Sequence, residues 1–324
     1  MKVFPSTQLR NVGLVAHQGA GKTSLAEAMI FNTGATTRLG KVDDGNTVAD
    51  YHPEELKRKS TVNTSLLACI WNDHKINVLD VPGFSDFYGE IISTLRVADS
   101  LVMVLDAVAG VEVTTEIIWE QADEKNIPII GFINKMDREN ADFFKALDSM
   151  KQKLTRQIVP VQIPIGKESD FNGMVDLISK KAFKYENGKV TEVAVPDSLK
   201  DDVENYREMM IEAAAEGDDE ITMKYLDGEE LSKEEIILGL KEGVKKCQSR
   251  ACPLWFSAQK ISVPIKLMDL LVDYAPSPLA YIDEAAAAKP IASLIFKTMA
   301  DPYVGKISMF KSIFRQDERR YAAF

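Results

Sequence analysis

Apolar runs about the length of a buried strand recur through the first half of the chain. Each gives way to a stretch in which apolar residues return at helical spacing. Val12-Gly13-Leu14-Val15 is the first, followed by Ser24-Leu25-Ala26-Glu27-Ala28-Met29-Ile30-Phe31. Ser100-Leu101-Val102-Met103-Val104-Leu105 is another, with a helix to follow through Ile117, Ile118, Gln121 and Ala122. Ile127-Pro128-Ile129-Ile130-Gly131-Phe132-Ile133 repeats the strand pattern. Strands without polar alternation are buried on both faces, and helices between them supply the crossovers that parallel strands need. The pattern predicts an α/β fold, a mostly parallel sheet with helices on both faces. One pair departs from it. Ser65-Leu66-Leu67-Ala68-Cys69-Ile70-Trp71 and Lys75-Ile76-Asn77-Val78-Leu79 are joined by Asn72-Asp73-His74 alone, which is too short for a crossover and predicts an antiparallel hairpin.

Between Thr36 and Thr64 no periodic apolar pattern exists, and loops this long inside compact domains are functional or mobile. Past Val159 the strand and helix alternation stops. Val161 to Ile165 reads as a strand, and Ala182 to Glu186 with Lys189 to Val193 flank Asn187-Gly188, a two-residue hairpin signal. Helical spacing follows at Val203, Tyr206, Met210 and Ala214. A further helix opens with a capping box, Ser232 and Glu235, and aligns Ile236, Ile237, Leu240 and Val244 on one stripe. Leu254-Trp255-Phe256 is a further short apolar run. After Pro276 and Pro278 an Ala-rich linker, Ala285 to Ala288, leads to two more strands, Ile291 to Phe296 and Lys306 to Phe314.

With 324 residues, 45% of them hydrophobic, the chain has material for about two domains. Its 39 basic and 49 acidic residues give a net charge of −10, a field that does not favour wrapping nucleic acid. The acid excess is greatest between 158 and 253, where 13 basic residues face 21 acidic ones, as a solvated surface or as a docking face. Cys69, Cys247 and Cys252 are read as reduced thiols, since their number is odd and no histidine stands with them to complete a metal site. Neither a signal-peptide stretch nor a membrane-length apolar run is present, so a soluble, cytoplasmic monomer is expected.

Three polar stretches fall at the ends of the predicted strands. Ala16-His17-Gln18-Gly19-Ala20-Gly21-Lys22-Thr23 sits between strand and helix, where glycines let backbone N–H groups turn toward a phosphate chain and the helix start adds its positive end. Lys22 is placed to reach the outer phosphates, and the Thr23 hydroxyl to ligate their Mg²⁺, although the first position is Ala16 where the general pattern has glycine. Asp80-Val81-Pro82-Gly83 closes the hairpin's second strand. It reads either as an ordinary turn or as a metal-side carboxylate with a glycine N–H free to approach a γ-phosphate. Asn134-Lys135-Met136-Asp137 ends the strand of Ile133. The Asp137 carboxylate can accept from N1–H and N2–H of guanine, a pair adenine lacks, while Lys135 lies across the ring and Asn134 ties loops together.

In order and spacing these motifs resemble those of the translational GTPases, most closely the elongation factor G type. The resemblance runs from about residue 10 to 314 and includes Asp80 to Phe87, Asp106-Ala107-Val108-Ala109-Gly110-Val111, Asn134 to Asp137, and Ser257-Ala258-Gln259 ahead of Leu270 to Pro278. It implies a P-loop GTPase sheet over 1–157 and 254–284, an inserted α+β subdomain over 158–253, and the start of a truncated β-barrel domain over 289–324. It implies GTP and GDP with Mg²⁺ as ligands and the ribosome as partner, reached through a longer protein. His17, Gln18, Gly19, Ala20, Gly21, Lys22, Thr23 and Ser24 then surround the phosphates, Thr23, Thr61 and Asp80 attend the metal, and Lys22, Thr61 and Gly83 face the reacting phosphate. Ser257 and Ala258 would complete guanine selection beside Asn134, Lys135 and Asp137.

The chain departs from that family at two points. The histidine expected after Asp-x-Pro-Gly, which positions the attacking water, is Phe84, whose ring neither donates nor accepts a hydrogen bond. Phe84 is either packed under the helix expected from Asp86 to Val97 or a change that retunes hydrolysis. The aspartate expected inside the phosphate loop is Gly19, and the usual Arg-Gly-Ile-Thr is Arg58-Lys59-Ser60-Thr61. A GTPase, a slowly hydrolysing GTP-dependent ribosome ligand, and a P-loop ATPase or kinase are the competing expectations.

Overall fold

The computed structural model describes residues 2–155, 157–186, 189–246, 251–256, 263–281, 292–301 and 304–314. The chain opens with β1 (Leu9–Val15), α1 (Lys22–Asn32), α2 (Pro53–Arg58), β2 (Ser65–Trp71), β3 (His74–Asp80) and α3 (Tyr88–Leu95). It continues through β4 (Ser100–Asp106), α4 (Val113–Glu124), β5 (Ile129–Asn134), α5 (Phe143–Lys153) and β6 (Gln157–Pro160). Then come β7 (Gln162–Ile165), β8 (Gly173–Asp176), β9 (Lys181–Glu186), β10 (Lys189–Val193), α6 (Lys200–Ala215), α7 (Asp219–Leu226) and α8 (Lys233–Lys246). The last elements are β11 (Ala251–Phe256), α9 (Val263–Tyr274), β12 (Ala292–Asp301) and β13 (Gly305–Phe314).

Seven strands form one sheet in the order β2-β3-β1-β4-β5-β11-β6. β2 pairs antiparallel with β3 through Trp71 opposite His74, as the short Asn72-Asp73 connection requires, and the remaining pairs are parallel. The central strands β4 and β5 are buried along almost their whole length, with Leu101 to Leu105 and Ile129 to Ile133 in the core. Apolar side chains that point to both faces must be covered on both, which the helices between the strands achieve. β1, β3, β4 and β5 all end their parallel run at one edge, so the loops after Val15, Asp80, Asp106 and Asn134 converge there.

β7 to β10 make a separate antiparallel sheet in the order β10-β9-β8-β7, and α6 packs along α8. The turn Asn187-Gly188 lies outside the described residues, as does the linker 285–288. The Ser232 capping box is present: the Ser232 N–H donates to Glu235 Oε2 at 2.8 Å and the Glu235 N–H to Ser232 Oγ at 3.2 Å. Of its stripe, Ile236, Leu240 and Val244 are buried, while Ile237 is half-buried. α7 goes unread from sequence because its apolar residues are sparse. Ile221 alone is buried, and the helix is started by Asp218, whose carboxylate accepts the Glu220 and Ile221 N–H groups at 3.0 and 3.3 Å.

The large sheet takes in β6 and the beginning of β11, residues that the limits expected at 157 and 254 left outside it. β6 is a four-residue edge strand that reads from sequence as a continuation of the next segment. The helix expected from Asp86 to Val97 is shorter, a turn at Ser85–Phe87 followed by α3. β12 and β13 pair as an antiparallel ribbon. Two of its lysines reach the large sheet's domain, Lys297 at Glu90 and Lys311 at Asp99. Among the described residues no helix is long and apolar enough to cross a membrane.

Candidate functional site

The loop after β1 turns through Gly19 and Gly21, whose φ values of 78° and 97° lie in the left-handed region that side chains disfavour. Gly21 is also short of space, since a Cβ there would stand 2.4 Å from Asn134 Nδ2. That amide donates to the Ala20 carbonyl at 2.8 Å, so Asn134 ties the loop after β5 to the loop after β1. Gln18 and Gly19 are exposed, Ala20 is buried, and Ser24 is half-buried in the first turn of α1.

Lys22 is the first residue of α1 and is buried, its ammonium donating to the carbonyls of Ala16 at 3.2 Å and His17 at 3.1 Å. Burial lowers its pKa to about 8, against the opposing pull of Asp80. The chain at Gly83 passes so close that a Cβ would lie 2.5 Å from Lys22 Nζ and 2.8 Å from the His17 carbonyl. Lys22, Gly83 and the glycine loop therefore share one small volume. His17 is buried with Nε2 3.8 Å from Glu112 Oε1, and burial lowers its pKa, which favours a neutral packing residue over a proton carrier.

Asp80 is fully buried, and neither of its carboxylate oxygens has a hydrogen-bond partner. Its pKa is raised by burial, with Lys22 pulling the other way. Beside it the hydroxyls of Thr23 and Thr61 meet at 2.9 Å. Asp50 is also buried, and its pKa too is raised by burial, with the Thr61 hydroxyl pulling the other way. Two hydroxyls next to an unsatisfied carboxylate are hard oxygen donors of the kind that suit Mg²⁺. Among the described residues no three His, Cys, Asp or Glu side chains are placed to hold a metal by themselves. A cation here would have to complete its shell from a ligand such as a phosphate chain.

Thr61 lies in the stretch that carries no periodicity, and the structure shows what fixes that stretch. The Glu27 carboxylate accepts from the Val48 and Ala49 N–H groups at 2.6 and 3.0 Å. Glu55 of α2 accepts from Val62 and Asn63 at 3.0 and 2.9 Å through one oxygen, and from the His52 N–H at 3.1 Å through the other. Glu90 accepts from the Thr64 N–H at 2.8 Å. None of these three acids stands out by motif. Glu27 leaves one trace in the sequence, a carboxylate in the middle of the apolar run Ala26 to Ile30.

Past the end of β5, Lys135 has φ 64° and its ammonium meets Asp106 Oδ2 at 2.7 Å. Burial would raise the Asp106 pKa, but Lys135 and the N–H groups of Val108 and Ala109, at 2.8 and 3.3 Å, hold it below the usual range. Asp106, which the motif match included without giving it a role, thus anchors Lys135. Asp137 is exposed at the mouth of the edge. Ser257 and Ala258 lie outside the described residues. Phe256, just ahead of them, pairs with Ile133, so the chain leaves the sheet next to Asn134. Phe84 is half-buried ahead of α3, edge-on to Phe87 with centroids 6.3 Å apart.

Comparison with known proteins bears on the whole of this edge. A family model described as the elongation factor Tu GTP binding domain matches residues 7–277. Elongation factor G of Thermotoga petrophila is 41% identical over 322 residues, covering 94% of this chain and 46% of the relative. Elongation factor G of Thermotoga maritima is 40% identical over the same span and shares. A crystal structure of a protein from Thermus thermophilus superposes with a TM-score of 0.86 at 31% identity, covering 95% of this chain and 46% of that one. The chain spans about half the length of these relatives.

Proposed function

The chain belongs to the family of the elongation factor Tu GTP binding domain, and from that premise we propose that it is the GTPase part of an elongation factor G-like switch. In this reading it binds GTP and GDP with Mg²⁺, hydrolyses GTP, and passes the resulting change of shape to the ribosome as part of a longer cytoplasmic protein. The nucleotide domain, expected over 1–157 with 254–284, would run on to Pro160 and back to Ala251, because β6 and the start of β11 join the large sheet; the segment between would be the insert, and 289–324 the start of a second domain. The observation that carries the proposal is the buried, unpartnered Asp80 carboxylate next to the Thr23 and Thr61 hydroxyls and the Lys22 ammonium.

Lys22 and the N–H groups of the glycine loop would hold the phosphates, and Gly83 would present its N–H to the γ-phosphate. Thr23, Thr61 and, through water, Asp80 would attend Mg²⁺, which neutralises charge on the phosphate oxygens. Asn134, Lys135 and Asp137, with Ser257 and Ala258, would select guanine. Calorimetric titration of the chain with Mg²⁺ and GDP or GTP tests this directly. Heat of binding for both, with ATP unable to compete, is the expected result; ATP binding at least equal to GTP would make the protein an ATPase or kinase instead.

Phe84 favours a second reading, in which hydrolysis is slow and the protein acts as a GTP-dependent ribosome ligand. A half-buried ring without a hydrogen-bonding atom stands where the family has a histidine. Single-turnover phosphate release, with and without ribosomes, separates the two. Phe84→His should raise the rate about tenfold or more if the missing acid–base group limits the step, and an unchanged rate would exclude that role for the position.

A further inference from the structure

Thr64 follows Thr61 at the start of the hairpin, and its backbone is held on both sides by side chains from distant parts of the fold. Its N–H donates to Glu90 Oε2 at 2.8 Å, and its carbonyl accepts from Lys297 Nζ at 2.8 Å. The same ammonium lies 3.2 Å from Glu90 Oε2, which closes a ring of backbone, carboxylate and ammonium. Glu90 belongs to the first turn of α3, the helix that follows Gly83 and Phe84. Lys297 belongs to β12 of the ribbon. Its side chain is 9% exposed and that of Glu90 is 30% exposed, so the pair is partly shielded from solvent. A lysine is seldom buried so far without a partner that repays its desolvation.

The neighbouring contacts give this ring a direction. The N–H groups of Val62 and Asn63 are held by Glu55 and that of Thr64 by Glu90, which fixes the backbone past Thr61 and leaves its hydroxyl turned to Thr23. A second ribbon lysine, Lys311, reaches the buried Asp99 just past the C-terminus of α3, and Asp99 also accepts from Asn11 of β1 at 2.7 Å. The ribbon thus meets α3 at Glu90 and the segment ahead of β4 at Asp99, and through Glu90 the same helix holds the backbone just past Thr61.

We propose that Glu90 is a positioning residue for Thr61, and that Lys297 makes this positioning depend on the placement of the β12–β13 ribbon. The ribbon and the GTP-bound arrangement of Thr61 then favour each other, because linkage between two sites is reciprocal. The proposal rests on the proposed function, in which Thr61 attends Mg²⁺, and adds that the segment carrying Thr61 is the switch segment, ordered with GTP and released with GDP. A chain that bound neither nucleotide would overturn that reading before any variant was compared.

The test is titration calorimetry with Mg²⁺ and either GDP or a non-hydrolysable GTP analogue on the parent chain and on Lys297→Met, Lys297→Arg and Glu90→Gln. Tryptic cleavage after Lys57, Arg58 and Lys59 follows the switch segment in parallel. Loss of a charge-assisted hydrogen bond should lower the affinity of Lys297→Met for the analogue about tenfold, with GDP affinity unchanged and the analogue's protection from trypsin lost. Lys297→Arg should restore both. If Lys297→Met and Glu90→Gln bind both nucleotides as the parent does, or lose both equally, the coupling does not exist.

Discussion

The hydroxyl oxygens of Thr23 and Thr61 lie 2.9 Å apart although 38 residues separate them in sequence. Thr23 sits in the first turn of α1 and is fixed by that helix, whereas the backbone just past Thr61 is held by Glu55 of α2 and Glu90 of α3. Their removal should differ accordingly. Thr23→Ala should weaken Mg²⁺-dependent binding of GDP and of a GTP analogue alike, about tenfold or more, as the loss of a bond to a charged group does. Thr61→Ala should weaken the analogue and spare GDP. Calorimetry with both nucleotides checks this, and equal losses for Thr61→Ala would remove its switch role.

Gly83 is not in a left-handed conformation, so its need for glycine is one of space. A Cβ would meet Lys22 Nζ at 2.5 Å, the His17 carbonyl at 2.8 Å and Gln18 Cα at 2.9 Å. The lysine tip can move, but the two loop atoms cannot without opening the phosphate loop. Gly83→Ala should therefore cost about 1–3 kcal/mol, as overpacking does. It should also reduce affinity for the triphosphate more than for GDP. Thermal unfolding and nucleotide titration measure the two effects, and a variant as stable as the parent would show that the loop yields.

How far the sequence could be read follows from the range over which each signal acts. The strands Val12 to Val15 and Leu101 to Leu105 show themselves by uninterrupted apolar residues, and the hairpin by the three residues that join its strands. Gly21, Lys22, Asp80 and Asn134 are legible as motifs because each is dictated by local backbone at a strand end. The acids that fix the stretch before Thr64 belong to no motif: Glu27 and Glu90 act on backbone N–H groups 21 to 26 residues away, and Glu55 on nearer ones in a stretch without periodicity. α7 is missed for a related reason: only Ile221 is buried, and an Asp218 cap without an apolar stripe is a weak signal. Lys297 would pass as a surface residue of a strand until its partners are seen.

Asp106 and Lys135 form a pair at 2.7 Å with side chains 13% and 15% exposed. The carboxylate is also spent on two N–H groups of its own loop, so it holds Lys135 in place from a rigid mount. Asp106→Asn should keep those loop bonds and lose the ionic contact, which frees the lysine. The expected result is a guanine-nucleotide affinity lower by about three- to tenfold with little change in unfolding temperature. In contrast, Asp137→Asn should shift preference from guanosine to xanthosine triphosphate. Competition between the two nucleotides reads both variants; an Asp106→Asn chain that binds like the parent would show that Lys135 needs no such support.

Asp80 should make the nucleotide-free protein respond to pH in the opposite sense from an ordinary surface acid. Burial raises its pKa from 3.8 to about 7, so between those values the folded chain binds a proton that the unfolded chain has given up. Stability contributed by this group is complete below pH 3.8 and is lost as pH climbs through about 7. Lys22 is lowered from 10.5 to about 8, mainly by burial, so its part of the stability is lost as pH falls through that range. The two together place a minimum in stability near pH 7 to 8 for the nucleotide-free chain. Asp80→Asn should abolish the decline toward that minimum and raise stability at pH 8 by on the order of 1–3 kcal/mol, the cost of an unsatisfied buried group. It should also lose the Mg²⁺ dependence of GDP binding. Denaturant unfolding at closely spaced pH values, with and without Mg²⁺ and GDP, measures this. Because a cation and phosphates would favour the charged forms of both side chains, the gain in stability on adding them should be larger at pH 8 than at pH 5, and parallel curves for parent and Asp80→Asn would mean that the carboxylate is not the group being titrated.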